Sequence, residues 1–268
     1  MLEEPRAGRF AAWGNALLAG LVSPDDAAQR TVASDTVHRV TGLPGEPDAV
    51  GLTLAFGRLR SLGVAGLRIA LPAPGHPLGL SGPPEFNVAA LEAGEAVLAS
   101  GRGAAASIGL VPEVSEAGPE GDVLTEVLWR CLPVRQAPPA DVPTLAEAER
   151  ELAEVLREAT EALTALDVAG AGPVAMARLE AYRARSRPRA LLAPGYPARA
   201  ARVLELAQRV GTLVDIASDV ASEDESGAVS AAQLAERDRL LRPVERAARR
   251  ARVAAYNAYA EELQRQQG

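Results

Sequence analysis

Apolar positions along this chain change their spacing near the middle, and the change divides it into two kinds of structure. The first half opens on two stretches with helical spacing, one from Arg9 to Val22 and one after Ser23-Pro24-Asp25-Asp26. In the second, Ser23 is placed to cap, Pro24 suits the first helical position, and the two aspartates favour the positive end of the helix dipole. The pattern carries this helix to Val40, where the breaker run Gly42-Leu43-Pro44-Gly45 follows. A third helix is predicted from Asp48 to Leu62, stopped by Gly63.

Gly66 to Leu71 then reads as a strand, and Pro72 to Pro84 is too rich in proline and glycine for regular structure. After a short helical piece from Phe86 to Leu91, Glu95–Ser100, Ala105–Val111 and Val123–Val134 read as strands. Hairpin-length connections predict an antiparallel sheet of about four strands, covered on one face by the early helices.

Arg135 to Pro143 is a proline-rich connector. Beyond it the spacing is helical throughout. Thr144 and Glu147 form a capping box, and Leu145, Ala148, Leu152, Val155, Ala159, Ala162 and Leu166 recur at intervals of three and four. Val203, Leu206, Val210, Leu213, Ala217 and Val220 repeat the pattern. A shorter helix from Pro173 to Arg185 and a final one from Ser230 to Gln264, kinked or restarted at Pro243, complete the half. Leu156, Leu163 and Leu204 widen the seam beyond that of a two-stranded coiled coil. The expected fold is therefore α+β: an α+β domain over residues 1–137, a proline-rich linker over 138–143, and an all-α helical bundle over 144–268.

Composition narrows the chemistry. Every basic side chain is arginine, with no lysine anywhere, which removes phosphate-binding P-loops, Schiff-base sites and Ser-x-x-Lys nucleophiles. The abundance of Ala, Gly, Pro and Arg points to a high-GC bacterial genome. With 3% aromatic residues the core must pack through small aliphatic contacts. A net charge of -7 argues against a general nucleic-acid binder. The lone Cys131, within Val-Leu-Trp-Arg-Cys-Leu, reads as an inert strand thiol, and no disulfide is available. No apolar run is long enough to span a membrane, and Met1-Leu2-Glu3-Glu4 carries acid where a secretory signal carries positive charge, so the expected address is the cytoplasm.

Gly101-Arg102-Gly103-Ala104-Ala105-Ala106 matches a loose dinucleotide fingerprint, but a strand pattern follows where the fingerprint needs a helix, so the glycines predict a hairpin turn. Two histidines and one cysteine cannot build an all-His/Cys zinc site of four ligands, and no cofactor is expected. His38 is expected on the second helix. His76 lies in the rigid loop near Ser81, Glu85 and Asn87, which makes that loop a candidate ligand wall. Gly79-Leu80-Ser81-Gly82-Pro83 misses the nucleophile elbow because Pro83 replaces its last glycine.

Glu147, Glu151, Glu154 and Glu158 form an acidic stripe on the first helix of the C-terminal half, continued by Glu161. Arg239, Arg242, Arg246 and Arg249 form a basic one on the last. Such stripes set the register of pairing between helices or between copies of a chain. With Arg250, Arg252, Tyr256 and Tyr259 alongside, the basic stripe also offers a weaker reading, contact with nucleic acid. The preferred function is a non-catalytic interaction or scaffold protein using helical-bundle faces to bind itself or a protein partner. The alternative is a small-molecule-binding protein or enzyme with a pocket under Pro72–Asn87.

Overall fold

A computed structural model of the chain describes residues 4–101, 108–119, 121–135, 141–165, 192–223 and 231–267, with side chains described outside 162–165, 218–223, 231–238 and 263–267. The Gly101–Ala106 turn, most of the proline connector and the Pro173–Arg185 helix lie outside the described residues. The described chain is mixed α and β, with seven helices and a six-stranded sheet. It forms two compact units, one of residues 4–142, 192–197 and 256–268, the other of 143–191 and 198–255 with the first three residues.

In the sheet-containing unit, helices α1 (Arg6–Leu18) and α2 (Pro24–Val32) lead into strands β1 (Val37–Thr41) and β2 (Val50–Gly51) and helix α3 (Leu52–Ser61). Then come β3 (Val64–Ala70), α4 (Pro84–Ala93), β4 (Ala96–Gly101), β5 (Ile108–Ala117) and β6 (Leu124–Pro133). The sheet order is β2-β1-β6-β5-β4-β3. β3 to β6 form the expected antiparallel run, but β1 pairs parallel to β6 over Val37–Thr41, so the sheet is mixed rather than antiparallel.

The two extra strands come from segments read as helix, β1 from the end of the second and β2 from the start of the third. α2 starts where Ser23 predicts, with Ser23 Oγ accepting from the Asp26 amide, but it stops at Val32, and Ala33 turns the chain at φ +52°. Beyond it Thr36, Val37, Val40 and Thr41 are β-branched, which suits a pleated strand better than a helix continuation. His38 therefore belongs to a strand.

Helix α1 is buried along both faces, from Ala7 to Leu17. Phe10 meets Phe56 of α3 and Trp129 of β6, each at 4.8 Å between ring centroids. On the opposite sheet face α4 and the loop before it pack Phe86, Leu80 and Ala90 on Val111 and Val134. Gly109 makes this possible, since a Cβ there would lie 2.5 Å from the Phe86 ring.

β3 is an edge strand, and its open side is closed by side chains instead of a further strand. The Asn15 amide of α1 donates to Leu67 O (2.9 Å) while its Oδ1 accepts from Leu67 N (2.7 Å). Two residues on, Asn257 repeats the arrangement at Ile69, at 2.7 Å to the nitrogen and 3.2 Å to the oxygen. Alternate residues of a strand present their backbone groups to the same side, so two amides two residues apart satisfy an edge that water cannot reach.

The helical unit contains α5 (Leu145–Ala165), α6 (Ala198–Glu223) and the part of α7 (Ala231–Gln267) that ends at Ala255. The capping box is present: Thr144 N and Oγ1 both donate to Glu147 Oε2, at 2.9 and 2.7 Å, and Thr144 Oγ1 accepts from Glu147 N. α7 runs unbroken through Pro243. The buried side of α6 is Ala200, Val203, Leu204, Ala207, Val210 and Val214, whereas Leu206 and Leu213 of the expected seam are exposed.

Replacing Asn257 with alanine strands the amide and carbonyl of Ile69, at a cost of about 1–3 kcal/mol for each group left unsatisfied. Urea unfolding of Asn257→Ala is expected to show a lower midpoint with an unchanged slope. An unchanged midpoint would mean that the edge is held by other contacts.

Candidate functional site

Two polar constellations stand out in the sheet-containing unit. The first is the loop before α4. A tight reversal with reciprocal hydrogen bonds between Ala73 and His76 carries the His76 ring, which is buried and lies 2.6 Å through Nε2 from Asp141 Oδ2. Asn87 turns inward instead of outward, its Oδ1 accepting from Gly82 N at 3.0 Å, and Gly82 O accepts from Arg135 N. Glu85 is exposed in the first turn of α4. Ser81 Oγ is buried and has no hydrogen-bond partner.

These four residues therefore do not converge on one ligand position. Asn87 is occupied in shaping the loop, Glu85 faces water, and Ser81 makes no hydrogen bond to His76, so the hydroxyl has no base to activate it. The glycines serve closeness: a Cβ on Gly79 would sit 2.8 Å from Ala70 Cα, and φ there is +98°. The loop is a tightly packed cover over the sheet.

The second constellation was not anticipated. Asp35, on the turn between α2 and β1, gathers three donors. Arg6 reaches it with two nitrogens, Nε to Oδ2 at 3.1 Å and an Nη to Oδ1 at 2.9 Å. Arg9 lies at 2.5 Å and His38 Nε2 at 2.9 Å, both on Oδ2. Trp129 Nε1 donates to His38 Nδ1 at 3.3 Å. An indole nitrogen can only donate, so Nδ1 is the bare nitrogen and Nε2 carries the proton given to Asp35.

Burial alone would raise the Asp35 carboxyl, but hydrogen bonds from His38 and Arg6 and the charges of Arg6 and Arg9 outweigh it and hold the group well below the usual carboxylate range. Arg9 also donates to Thr31 O at 3.0 Å. The side chains of Asp35 and His38 are 4% and 0% exposed, so no substrate reaches the pair. It fastens α1, the end of α2, β1 and β6 together. The signal in the sequence was an acid three residues before a histidine, with two arginines on one face of α1 spaced three apart.

Cys131 is on β6, half-buried, and burial pushes its thiol up to about 11, which keeps it protonated and unreactive at neutral pH. Among the described residues no three His, Cys, Asp or Glu side chains gather in a way that could hold a metal ion. Among them, too, no helix is long and apolar enough to cross a membrane.

Tyr256 and Tyr259 are not surface residues. Tyr256 is 0% exposed, with its ring against Gly8, and Tyr259 stacks on Tyr196 at 5.0 Å. Burial raises the hydroxyls of Tyr196 and Tyr259, and Tyr196 donates to Tyr256 O at 2.9 Å. They cannot serve as a platform for nucleic-acid bases.

In the helical unit, Glu151 of the acidic stripe pairs with Arg250 of α7 at 3.0 Å, and Glu149, beside the stripe, pairs with Arg199 of α6 at 2.6 Å. Glu147 is the capping residue, while Glu154 and Glu158 are exposed. Arg239, Arg242 and Arg246 are exposed, and Arg249 bonds Glu245 one turn back on its own helix.

Comparison with known proteins places these observations in a family. The N-terminal domain of Rv1486c-like proteins matches residues 7–147, and their C-terminal domain matches 146–253. The uncharacterized protein Rv1486c of Mycobacterium tuberculosis is 32% identical over 92% of this chain and 94% of its own length. The uncharacterized protein ML1804 of Mycobacterium leprae is 29% identical over the same shares. One from Mycobacterium avium, MAV321, is 29% identical over 79% of this chain and 78% of its own. No solved structure matches. The chain belongs to the Rv1486c-like family, and its composition agrees with the high-GC mycobacterial source of these relatives.

The depressed Asp35 carboxyl sets the sign of a pH effect. Its contribution is full above about pH 4, where the unfolded side chain is also ionised, and is lost as the pH falls from there toward the lower folded-state value. Asp35→Asn removes the charge that neutralises the buried Arg9 guanidinium and is expected to cost about 3 kcal/mol at pH 7. Thermal unfolding followed from pH 7 to pH 3 is expected to show a shallower acid decline in this variant. An equally steep decline would place the acid sensitivity elsewhere.

Proposed function

We propose that this Rv1486c-like protein is a non-catalytic interaction protein that binds a second copy of itself through the helices following Thr144, packed as a bundle. The observation that carries the reading is the pair Leu206 and Leu213 on α6, 39% and 45% exposed. They lie seven residues apart, two turns along one side of the helix, about a quarter turn from the buried side formed by Val203, Ala207 and Val210. An antiparallel pair of α6 helices sets Leu206 of one copy beside Leu213 of the other, an isologous contact that closes on itself. Glu205 pairs with Arg209 on the same helix, which moderates the charge flanking the leucines.

Two features support a binding role over a catalytic one. The buried Asp35–His38 pair is saturated and closed to solvent, and the loop around His76 presents a hydroxyl with no activating base. One observation favours a second reading, a small ligand beneath the loop: Ser81 Oγ is a buried hydroxyl with nothing to bond.

Light scattering over a concentration series is expected to give twice the chain mass, and Leu206→Gln with Leu213→Gln to return a folded monomer with unaltered far-UV circular dichroism. Each leucine is worth about 1–2 kcal/mol at such a contact, so the double variant weakens association by a hundredfold or more. A strict monomer at high concentration, or a dimer indifferent to both substitutions, rules the reading out.

A further inference from the structure

Strand β5 outruns its neighbour. β4 begins at Ala96 and pairs with β5 only at Leu110 and Gly109, while β5 continues to Ala117 in register with β6. From Glu113 to Ala117 it is exposed, and among the described residues this stretch has no strand beside it on the β4 side. The other border of the ribbon is finished: β1 pairs with β6 from Glu126, and Thr36 closes the end, its amide donating to Thr125 O and its hydroxyl accepting from Thr125 N. The ribbon thus leaves one short row of backbone donors and acceptors open.

Its side chains are of two kinds. Val114, Val123 and Leu124 are 44%, 48% and 53% exposed at the free end of a hairpin, with Val114 and Leu124 on opposite faces of the ribbon. Around them Glu116, Asp122 and Glu126 are exposed and have no cationic partner among the described residues, whereas Glu113 is paired with Arg130 at 2.6 Å. In the antiparallel register that sets Val114 opposite Ser115, a second copy brings Glu113 against Glu116, which disfavours that pairing.

We propose that the exposed half of β5 is a docking edge for an extended, arginine- or lysine-bearing segment of a partner protein. The segment adds as a strand, taking the open backbone groups of residues 113–117. Its residues fall alternately on the two faces of the ribbon: on one a cation meets Glu116 and an apolar residue covers Val114, and on the other a cation meets Glu126, beside Ser115, and an apolar residue covers Leu124, beside Ala117. The edge belongs to the sheet-containing unit, and the proposal does not depend on self-association.

The probe is a capped peptide eight residues long with the repeat Arg-Arg-Val-Val, which sets arginine and valine in turn on each face of an added strand, titrated into the full chain with amide shifts followed by NMR. The expected result is saturable binding that shifts the amides of Glu113, Val114, Ser115, Glu116 and Ala117 and weakens as salt is added. Glu116→Arg with Glu126→Arg is expected to weaken it at least tenfold, and the same peptide N-methylated at alternate residues, with charge and apolar content retained, to lose it. Equal binding of the N-methylated peptide would reduce the effect to unspecific charge attraction and overturn strand addition. No shift at residues 113–117, or binding that survives the charge reversal, overturns the site itself.

Discussion

A helix with no face toward water must satisfy its own polar groups, and much of the sheet-containing unit follows from how α1 does so. Its residues are small where something must come close: a Cβ on Gly8 would meet the Tyr256 ring at 2.6 Å, and one on Gly14 would meet Leu67 at 2.4 Å. Its two buried polar side chains each do structural work. Arg9 is neutralised by Asp35, and Asn15 is spent on the backbone of β3. Even its first turn is served, with Ala7 N donating to Glu95 Oε2 at 2.7 Å. Burial of an uncompensated amide or guanidinium costs more than any one apolar contact returns, so each of these partners is fixed in place by α1.

The reading from sequence succeeded where local chemistry decides. Ser23-Pro24 starts α2, the Thr144–Glu147 box starts α5, and the Pro72–Pro84 segment has no regular structure, because each is set by a few adjacent residues. It failed where distant residues decide. Nothing local announces that Val37 to Thr41 will lie parallel to β6, ninety residues on, and the helical spacing before it was carried too far. On α6 the apolar arc is wide enough to admit two orientations. Packing chose the one centred on Ala200, Leu204 and Ala207, where the two alanines allow close approach, and left Leu206 and Leu213 outside.

The candidate sites divide along the same line. His76, Ser81, Glu85 and Asn87 were singled out by their neighbourhood in the chain, yet proximity in sequence did not make them converge. Asp35, Arg6, Arg9, His38 and Trp129 come from four separate elements and converge fully. The tyrosines of the C-terminal helix show the same effect of context: beside a run of arginines they suggest stacking on bases, while in the fold they are core residues, held against Gly8 and Tyr196.

A chain without lysine must guard its strand edges by other means, and this one uses three. β2 is only two residues long, too short to template another strand. β3 is closed by Asn15 and Asn257, which occupy its backbone groups and would have to be displaced. The projecting half of β5 carries charge beyond Pro112, with Glu116 exposed and Glu113 tied to Arg130. Of the three devices only the last can be overcome without disturbing the fold, because a partner of opposite sign is attracted by that charge. On the proposed reading, the acidic side chains that disfavour one register of self-pairing are the same ones that favour a basic strand.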